Sequence, residues 1–151
     1  MDRLAPLSRS DVPDLVDFLA RTDLTRSGLD APGVRLWILR DEAGTVRGST
    51  GYERSENGTD VLIRSVAVDA DLRGQGIGQA LGRFALDRAS AAGARQAWLF
   101  SRRSGAFWQR LGFAAADRDR LAEVLAATHQ VRLFRRTGQL EHEVAWSRPL
   151  P

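Results

Sequence analysis

The stretch Arg73-Gly74-Gln75-Gly76-Ile77-Gly78 decides how the chain is read. It follows an apolar run, Val61-Leu62-Ile63-Arg64-Ser65-Val66-Ala67-Val68, and precedes an amphipathic stretch from Ile77 to Ala92. A strand, a short glycine-rich loop and a helix in that order leave several backbone N–H groups free at a helix N-terminus. That end carries partial positive charge and suits a phosphate or pyrophosphate. Glycine lets the backbone approach the anion closely and adopt positive φ where the turn needs it.

Two common nucleotide cradles are excluded by the surroundings of the loop. A Rossmann fingerprint needs Gly-x-Gly-x-x-Gly after the first strand of a parallel βαβ unit, with an acidic residue about 20 positions on. Here the spacing is Gly74-x-Gly76-x-Gly78, and the preceding strand closes an antiparallel meander. A P-loop needs Gly-Lys-Ser/Thr, and the chain has no lysine: all 22 basic residues are arginine.

The element order is as follows. Leu4–Leu7 reads as a short strand. Val12, Leu15, Val16 and Leu19 recur at helical spacing over about residues 11–21, with Pro13 in the first turn. Thr22–Gly33 is a polar loop long enough to be a binding loop. Arg35–Arg40, a turn at Asp41–Gly44, Val46–Glu53, a turn containing Asn57-Gly58, and Val61–Val68 form the meander, the last as a central strand covered on both faces. In the following helix Ile77, Leu81, Phe84, Ala85 and Ala89 form one stripe, and Gly93 stops it. Ala97–Phe100 is a buried strand, Ala106–Leu111 a short helix ended by Gly112, Phe113–Ala116 a short strand and Leu121–Thr128 a helix. Two β-like segments, Val131–Phe134 and Glu143–Trp146, make the tail.

The 151 residues fit one domain, expected to span 1–151. Without cysteine, disulfides, a zinc ribbon and a cysteine nucleophile are excluded. His129 and His142 make no metal-ligand pattern, so no metal is expected. Met1-Asp2-Arg3 leads into no apolar signal segment, and no apolar run approaches the ~20 residues that span a bilayer. A cytoplasmic protein with no membrane partner is the expectation. The formal charge is +3, but the arginines are interleaved with 19 acidic residues and form no dense block, so no nucleic-acid partner is expected.

Arg73–Gly78 matches the Gln/Arg-x-x-Gly-x-Gly/Ala signature of the GNAT N-acetyltransferase superfamily, and the strand Ser65-Val66-Ala67-Val68-Asp69 before it also matches. Ala106-Phe107-Trp108-Gln109-Arg110-Leu111-Gly112-Phe113 resembles that family's Ala-x-x-Phe-Tyr-x-x-x-Gly-Phe segment, and Ala145–Leu150 resembles its last strand. The resemblance covers nearly the whole chain. It implies an α/β (α+β) fold: a mixed, mostly antiparallel sheet of about six or seven strands, helices on both faces, and a V-shaped splay between the central strand and Trp98–Ser101. It also implies acetyl-CoA as cosubstrate. The N–H groups of Gln75–Gln79 would hold its pyrophosphate, Arg73 would add charge, and the strand at Val66 and Val68 would pair with the pantetheine arm. The implied donor set is Val66, Ala67, Val68, Arg73, Gly74, Gln75, Gly76, Ile77, Gly78, Gln79 and Phe107. Within the superfamily the Leu62–Val68, Gly51–Glu53, Asp23-Leu24 and Gly105–Phe113 segments resemble the arsenic-resistance N-acetyltransferases, whose acceptors are amino-acid-like arsenicals or phosphinates. The tail departs: Phe134–Gly138 stands where that group has Cys-Pro.

Acetyl transfer to an amine needs a group to take the amine proton, stabilisation of the thioester oxygen, and a leaving thiolate. Glu53 is the expected base, acting through water. If Asn57-Gly58 closes a two-residue hairpin loop, Glu53 opposes Leu62 and Arg64 lies diagonally on the same face. Arg64 interrupts an apolar strand and needs an anion, either a substrate carboxylate or Glu53 in a structural pair. Arg64, Ser65 and Ser101 are the expected acceptor-binding residues. Trp108 replaces the tyrosine that often protonates the thiolate, and an indole N–H is no useful acid. Tyr52 should point away from Glu53 into the core, Ser104 is a candidate helix cap, and Arg102 and Arg103 have an anion, a CoA phosphate or, first among these, solvent as expected partners. The expected partner is a small, anionic, primary amine. Acetylation of a protein or peptide and a non-enzymatic CoA-sensing module are the alternatives. A homodimer through the tail strands is a further expectation.

Overall fold

The computed structural model describes residues 3–22 and 24–151. Asp23, half of the Asp23-Leu24 likeness, lies outside the described residues, as do Met1 and Asp2. The chain runs β1 (Arg3–Pro6), α1 (Val12–Arg21), β2 (Val34–Arg40), β3 (Val46–Arg54), β4 (Asp60–Ile63), β5 (Ala67–Val68), α2 (Ile77–Ala91), β6 (Gln96–Phe100), α3 (Gly105–Arg110), β7 (Ala114–Ala116), α4 (Arg118–Val124), α5 (His129–Thr137) and β8 (Ala145–Pro149). Among the described residues the strands form one mixed sheet in the order β1-β2-β3-β4-β6-β8-β7, with β5 pairing β3 off this path. All pairings are antiparallel except β4 with β6.

The strand alternation sorts the core onto two faces. Trp37, Tyr52, Val61, Ile63, Ala97 and Leu99 pack against Ala85, Leu86 and Ala89 of α2 and Trp108 of α3. On the other face Leu36 and Ile38 meet Leu15, Phe18 and Leu19 of α1. Leu62 and Trp98 meet Leu121 of α4 and Val131 of α5 there. Tyr52 is core, as its register predicts.

Three expectations are corrected. The strand expected over Val61–Val68 is two short strands: Arg64, Ser65 and Val66 leave the ladder, and Ser65 takes φ +60. This split takes the sheet to eight strands, one more than the upper expected number. Val131–Phe134 is helical, not β-like: Thr128 caps α5 by accepting from Val131 N–H, and Val131 and Phe134 bury one face at helical spacing. Gly138, at φ +77, ends that helix. The other tail segment, β8, is paired on both sides, by β6 and β7. The helix expected over Leu121–Thr128 runs instead over Arg118–Val124: Asp117 starts it by accepting from the N–H groups of Asp119 and Arg120, and Thr128 belongs to the cap of α5.

Candidate functional site

The break between β4 and β5 builds the site. Arg64 N–H still donates to Gly51 C=O at 3.0 Å, and Asp69 N–H donates to Arg47 C=O at 2.8 Å. Between them the chain bulges at Ser65, whose left-handed backbone is unusual for a side chain other than glycine. The buried Ser49 hydroxyl holds the bulge by donating to Ser65 C=O. Beyond it, β5 stays on β3, whereas the ladder between β4 and β6 ends at Leu62 and Trp98. Since the groups of Asp69 face β3, alternation turns those of Val68 and Val66 to the other edge of β5. No strand pairs with that edge among the described residues. The sheet opens there into a cleft of about 530 Å³.

The glycine loop lies between β5 and α2. Gly74 and Gly76 take φ of +83 and +80, and a Cβ on either would meet no protein atom within 4 Å. Backbone conformation, not crowding, requires glycine at both positions. The first ladder bond of α2 is Ala80 N–H to Gly76 C=O, 3.1 Å, so the N–H groups of Ile77, Gly78 and Gln79 precede the ladder. Arg73, Gly74, Gln75 and Gly76 are exposed. Gly78 lies where a Cβ would just touch Val68 and the Phe107 ring, which joins β5, the helix start and α3 into one corner.

Glu53 and Arg64 meet as the hairpin register predicts, with Glu53 opposite Leu62. Arg64 Nη1 lies 3.6 Å from Glu53 Oε1, and both side chains are at most 3% exposed. The Glu53 carboxylate also accepts from the first N–H groups of α5, His129 through Oε2 and Gln130 through Oε1. Arg64 Nη2 donates to Ser27 C=O at 3.0 Å and Nε to Ser65 Oγ at 3.3 Å, while Nη1 has no hydrogen-bond acceptor. Burial lowers the Arg64 pKa, and Glu53 partly opposes that shift. Arg64 lines the cleft; Glu53 is not among its lining residues.

Ser65, Val66, Ser101 and Trp108 line the cleft, with Arg102, Arg103 and Ser104 at one side and Gln130, Leu133 and Phe134 of α5 as a wall. Ser101 Oγ accepts from Ser104 N–H at 3.0 Å, so Ser101 holds the start of α3 and the Ser104 hydroxyl makes no cap bond. Arg102 does not simply face solvent: its Nε lies 3.5 Å from Glu143 Oε2. Trp108 is buried against Phe107 and Phe113. His129 Nε2 is 3.0 Å from Ser27 Oγ. Among the described residues no cluster of His, Cys, Asp or Glu is arranged to hold a metal, and no helix is long and apolar enough to cross a membrane.

Residues 32–115, more than half of the chain, match the family described as Acetyltransferase (GNAT) domain. The chain belongs to the GNAT acetyltransferase family. Its domain is of the GNAT N-acetyltransferase type, and solved structures share its fold. N-acetylglutamate synthase from Neisseria gonorrhoeae, complexed with coenzyme A and N-acetyl-glutamate, superposes with a TM-score of 0.78 at 18% identity. That match covers 100% of this chain but 35% of the Neisseria protein. Rv2747 from Mycobacterium tuberculosis, in complex with CoA, gives 0.75 at 19% identity over 99% of both chains. The ribosomal-protein-S18-alanine N-acetyltransferase from Escherichia coli gives 0.70 at 18%, covering 99% of this chain and 94% of that one. No curated protein sequence matches the chain.

In this GNAT domain the matched residues include the bulge, the glycine loop and α3, but not α5 or the approach to β8. Two features of the cleft lie in that tail and were not legible from the sequence: α5 as a wall, and Glu143. The spacing Val131-x-x-Phe134 signals the helix, but only in a window long enough to include Thr128 and Gly138. Nothing local marks Glu143, which joins the cleft through the antiparallel pairing of β6 and β8.

Proposed function

We infer that this domain moves acetyl from acetyl-CoA to the primary amine of a small, anionic, amino-acid-like acceptor by direct attack. Three features fit the donor. The Gln75–Gln79 N–H groups, with Arg73 beside them, suit a pyrophosphate. The unpaired edge at Val66 and Val68 suits the two amides of a pantetheine arm, as an added strand would. Phe107, packed at the helix start, closes that corner.

The observation that carries the acceptor class is Arg64. Its guanidinium lines the cleft, is buried, and keeps one terminal nitrogen without a hydrogen-bond acceptor. That nitrogen lies 3.6 Å from Glu53 Oε1, ion-paired without a hydrogen bond, and an acidic acceptor in the cleft would supply the missing one. Glu53 then acts as scaffold rather than base, since its oxygens face Arg64 and the start of α5. Ser65 and Ser101 hold the two sides of the splay. With Trp108 in place of an acid, the departing thiolate takes its proton from water. A peptide acceptor is disfavoured by α5 and by Thr22, Leu24 and Thr25, which wall the cleft where a peptide groove would run open.

A thiol-release screen tests this against amino acids, their phosphinic and arsinic analogues, polyamines, aminoglycosides and peptides. Turnover should concentrate on the acidic amines. Turnover confined to polycations or peptides would overturn the acceptor class. Tight acetyl-CoA binding with no turnover on any amine would favour a sensing module.

A further inference from the structure

With Glu53 engaged elsewhere, the cleft holds a different carboxylate. Glu143 is the only acidic residue among the described residues that line it. Its side chain is 8% exposed, and it stands just before β8, where Ser101 N–H donates to Val144 C=O at 2.9 Å. That bond sets Glu143 beside the end of β6, at the mouth of the splay. Gln139 Nε2 donates to Glu143 Oε2 at 2.7 Å, and Arg102 Nε approaches the same oxygen at 3.5 Å. Oε1 accepts no hydrogen bond among the described residues.

A primary amine enters water-filled clefts as an ammonium. It needs an anion to hold it and an acceptor for one proton before it can attack. We propose that Glu143 is that group: it binds the acceptor's ammonium through Oε1 and takes its proton, while Gln139 and Arg102 fix the carboxylate through Oε2. This assignment rests on the acetyl-transfer reading above. The ammonium gives one proton to Glu143 and becomes a neutral amine. Its lone pair forms the C–N bond at the thioester carbon as the C–S bond breaks with its electrons on sulfur. The second amine proton passes through water to the thiolate, and Glu143 releases the first to solvent. The products are the amide, the free thiol and one proton.

The arrangement also explains the acceptor's polarity. Arg64 at the bulge and Glu143 at the β8 end line one cleft with opposite charges, which suits a molecule carrying an acid and an amine. Arg102, just past the end of β6, is the cation within ion-pair distance of Glu143 among the described residues, and Arg103 lines the same cleft.

The test compares wild type with Glu143→Gln and Gln139→Ala. Thiol release is followed from pH 6 to 10 on the best acceptor, acetyl-CoA binding by calorimetry and folding by urea. Glu143→Gln should lower kcat/KM by about 10²–10⁴-fold. The loss should shrink at high pH, where the free amine is already abundant, with donor affinity and urea midpoint unchanged. Gln139→Ala should give a smaller loss of the same pH dependence. Turnover of an acidic amine by Glu143→Gln within about threefold of wild type at every pH would overturn the assignment and leave the acceptor class standing. Collapse of Glu143→Gln in an enzyme that acetylates only polycations or peptides would do the reverse. Should Glu143→Gln fail to fold, Glu143→Asp decides: partial activity with a shifted pH profile supports the role, and a wild-type profile overturns it.

Discussion

Replacing Glu53 with glutamine separates a scaffold from a base. The substitution keeps the shape of the side chain and removes its charge. Arg64 would then remain cationic at the floor of the cleft, 1% exposed by its side chain, with no counter-charge within ion-pair distance among the described residues. Breaking a buried pair from one side costs about 3–5 kcal/mol, and the burial of both partners leaves no reason to discount it for solvent screening. Glutamine also presents an NH2 group to one of the two α5 N–H donors that the carboxylate now accepts. At about 2–4 °C per kcal/mol for a domain of this size, the midpoint of thermal unfolding should fall by roughly 6–20 °C. Urea unfolding should show the same loss at an unchanged slope. Adding Arg64→Met removes the stranded charge and should restore about 2 kcal/mol. If Glu53→Gln cost less than about 1 kcal/mol while abolishing turnover and its pH dependence, the pair would be catalytic and the scaffold argument wrong.

Gly76→Ala should cost about 1–2 kcal/mol, because a side chain is forced into φ +80 at the start of α2. It should weaken acetyl-CoA at least about tenfold in calorimetry by disturbing the N–H cradle, with kcat at saturating donor little changed. Trp108→Phe should leave kcat within about threefold, since the indole supplies no acid, while lost packing against Phe107 and Phe113 costs about 1–3 kcal/mol in urea. Asp11 has its pKa lowered first by the Ser8 side-chain hydrogen bond, then by the Ser8 backbone and by Arg40. Its folded pKa lies below the unfolded one, so its contribution is present above about pH 4 and is lost as pH falls through the folded value. Asp11→Asn should therefore flatten the acid limb of the stability curve below pH 4 and destabilise at neutral pH.

The sheet up to β4 was legible because its signals are local. Asn57-Gly58 fixes the hairpin, and the hairpin alone places Glu53 opposite Leu62. The glycine loop was legible for the same reason, since strand, loop and helix are consecutive. The break at Ser65 was hidden by the apolar run from Val61 to Val68, which reads as continuous because every residue but Arg64 and Ser65 is apolar. The hydroxyl that stabilises the bulge belongs to Ser49, sixteen residues earlier. Helix α5 escapes a short-window reading because its end signals, Thr128 and Gly138, stand ten residues apart, and the carboxylate that meets its first N–H groups comes from Glu53, 76 residues away. Glu143 was invisible as a site residue because only the pairing of β6 with β8 brings it to Ser101 and Arg102.

The loop Thr25–Gly28 is clasped to α5 by Gln130 on Thr25 and by His129 on Ser27, and to the bulge by Arg64 on the Ser27 carbonyl. The two stitches to α5 join residues about a hundred positions apart, whereas the glycine loop, its strand and its helix are contiguous. Evolutionary change is thereby partitioned. Substitutions in residues 24–30 and 129–143 can remodel the chamber that chooses an amine without touching the cradle that grips the cosubstrate.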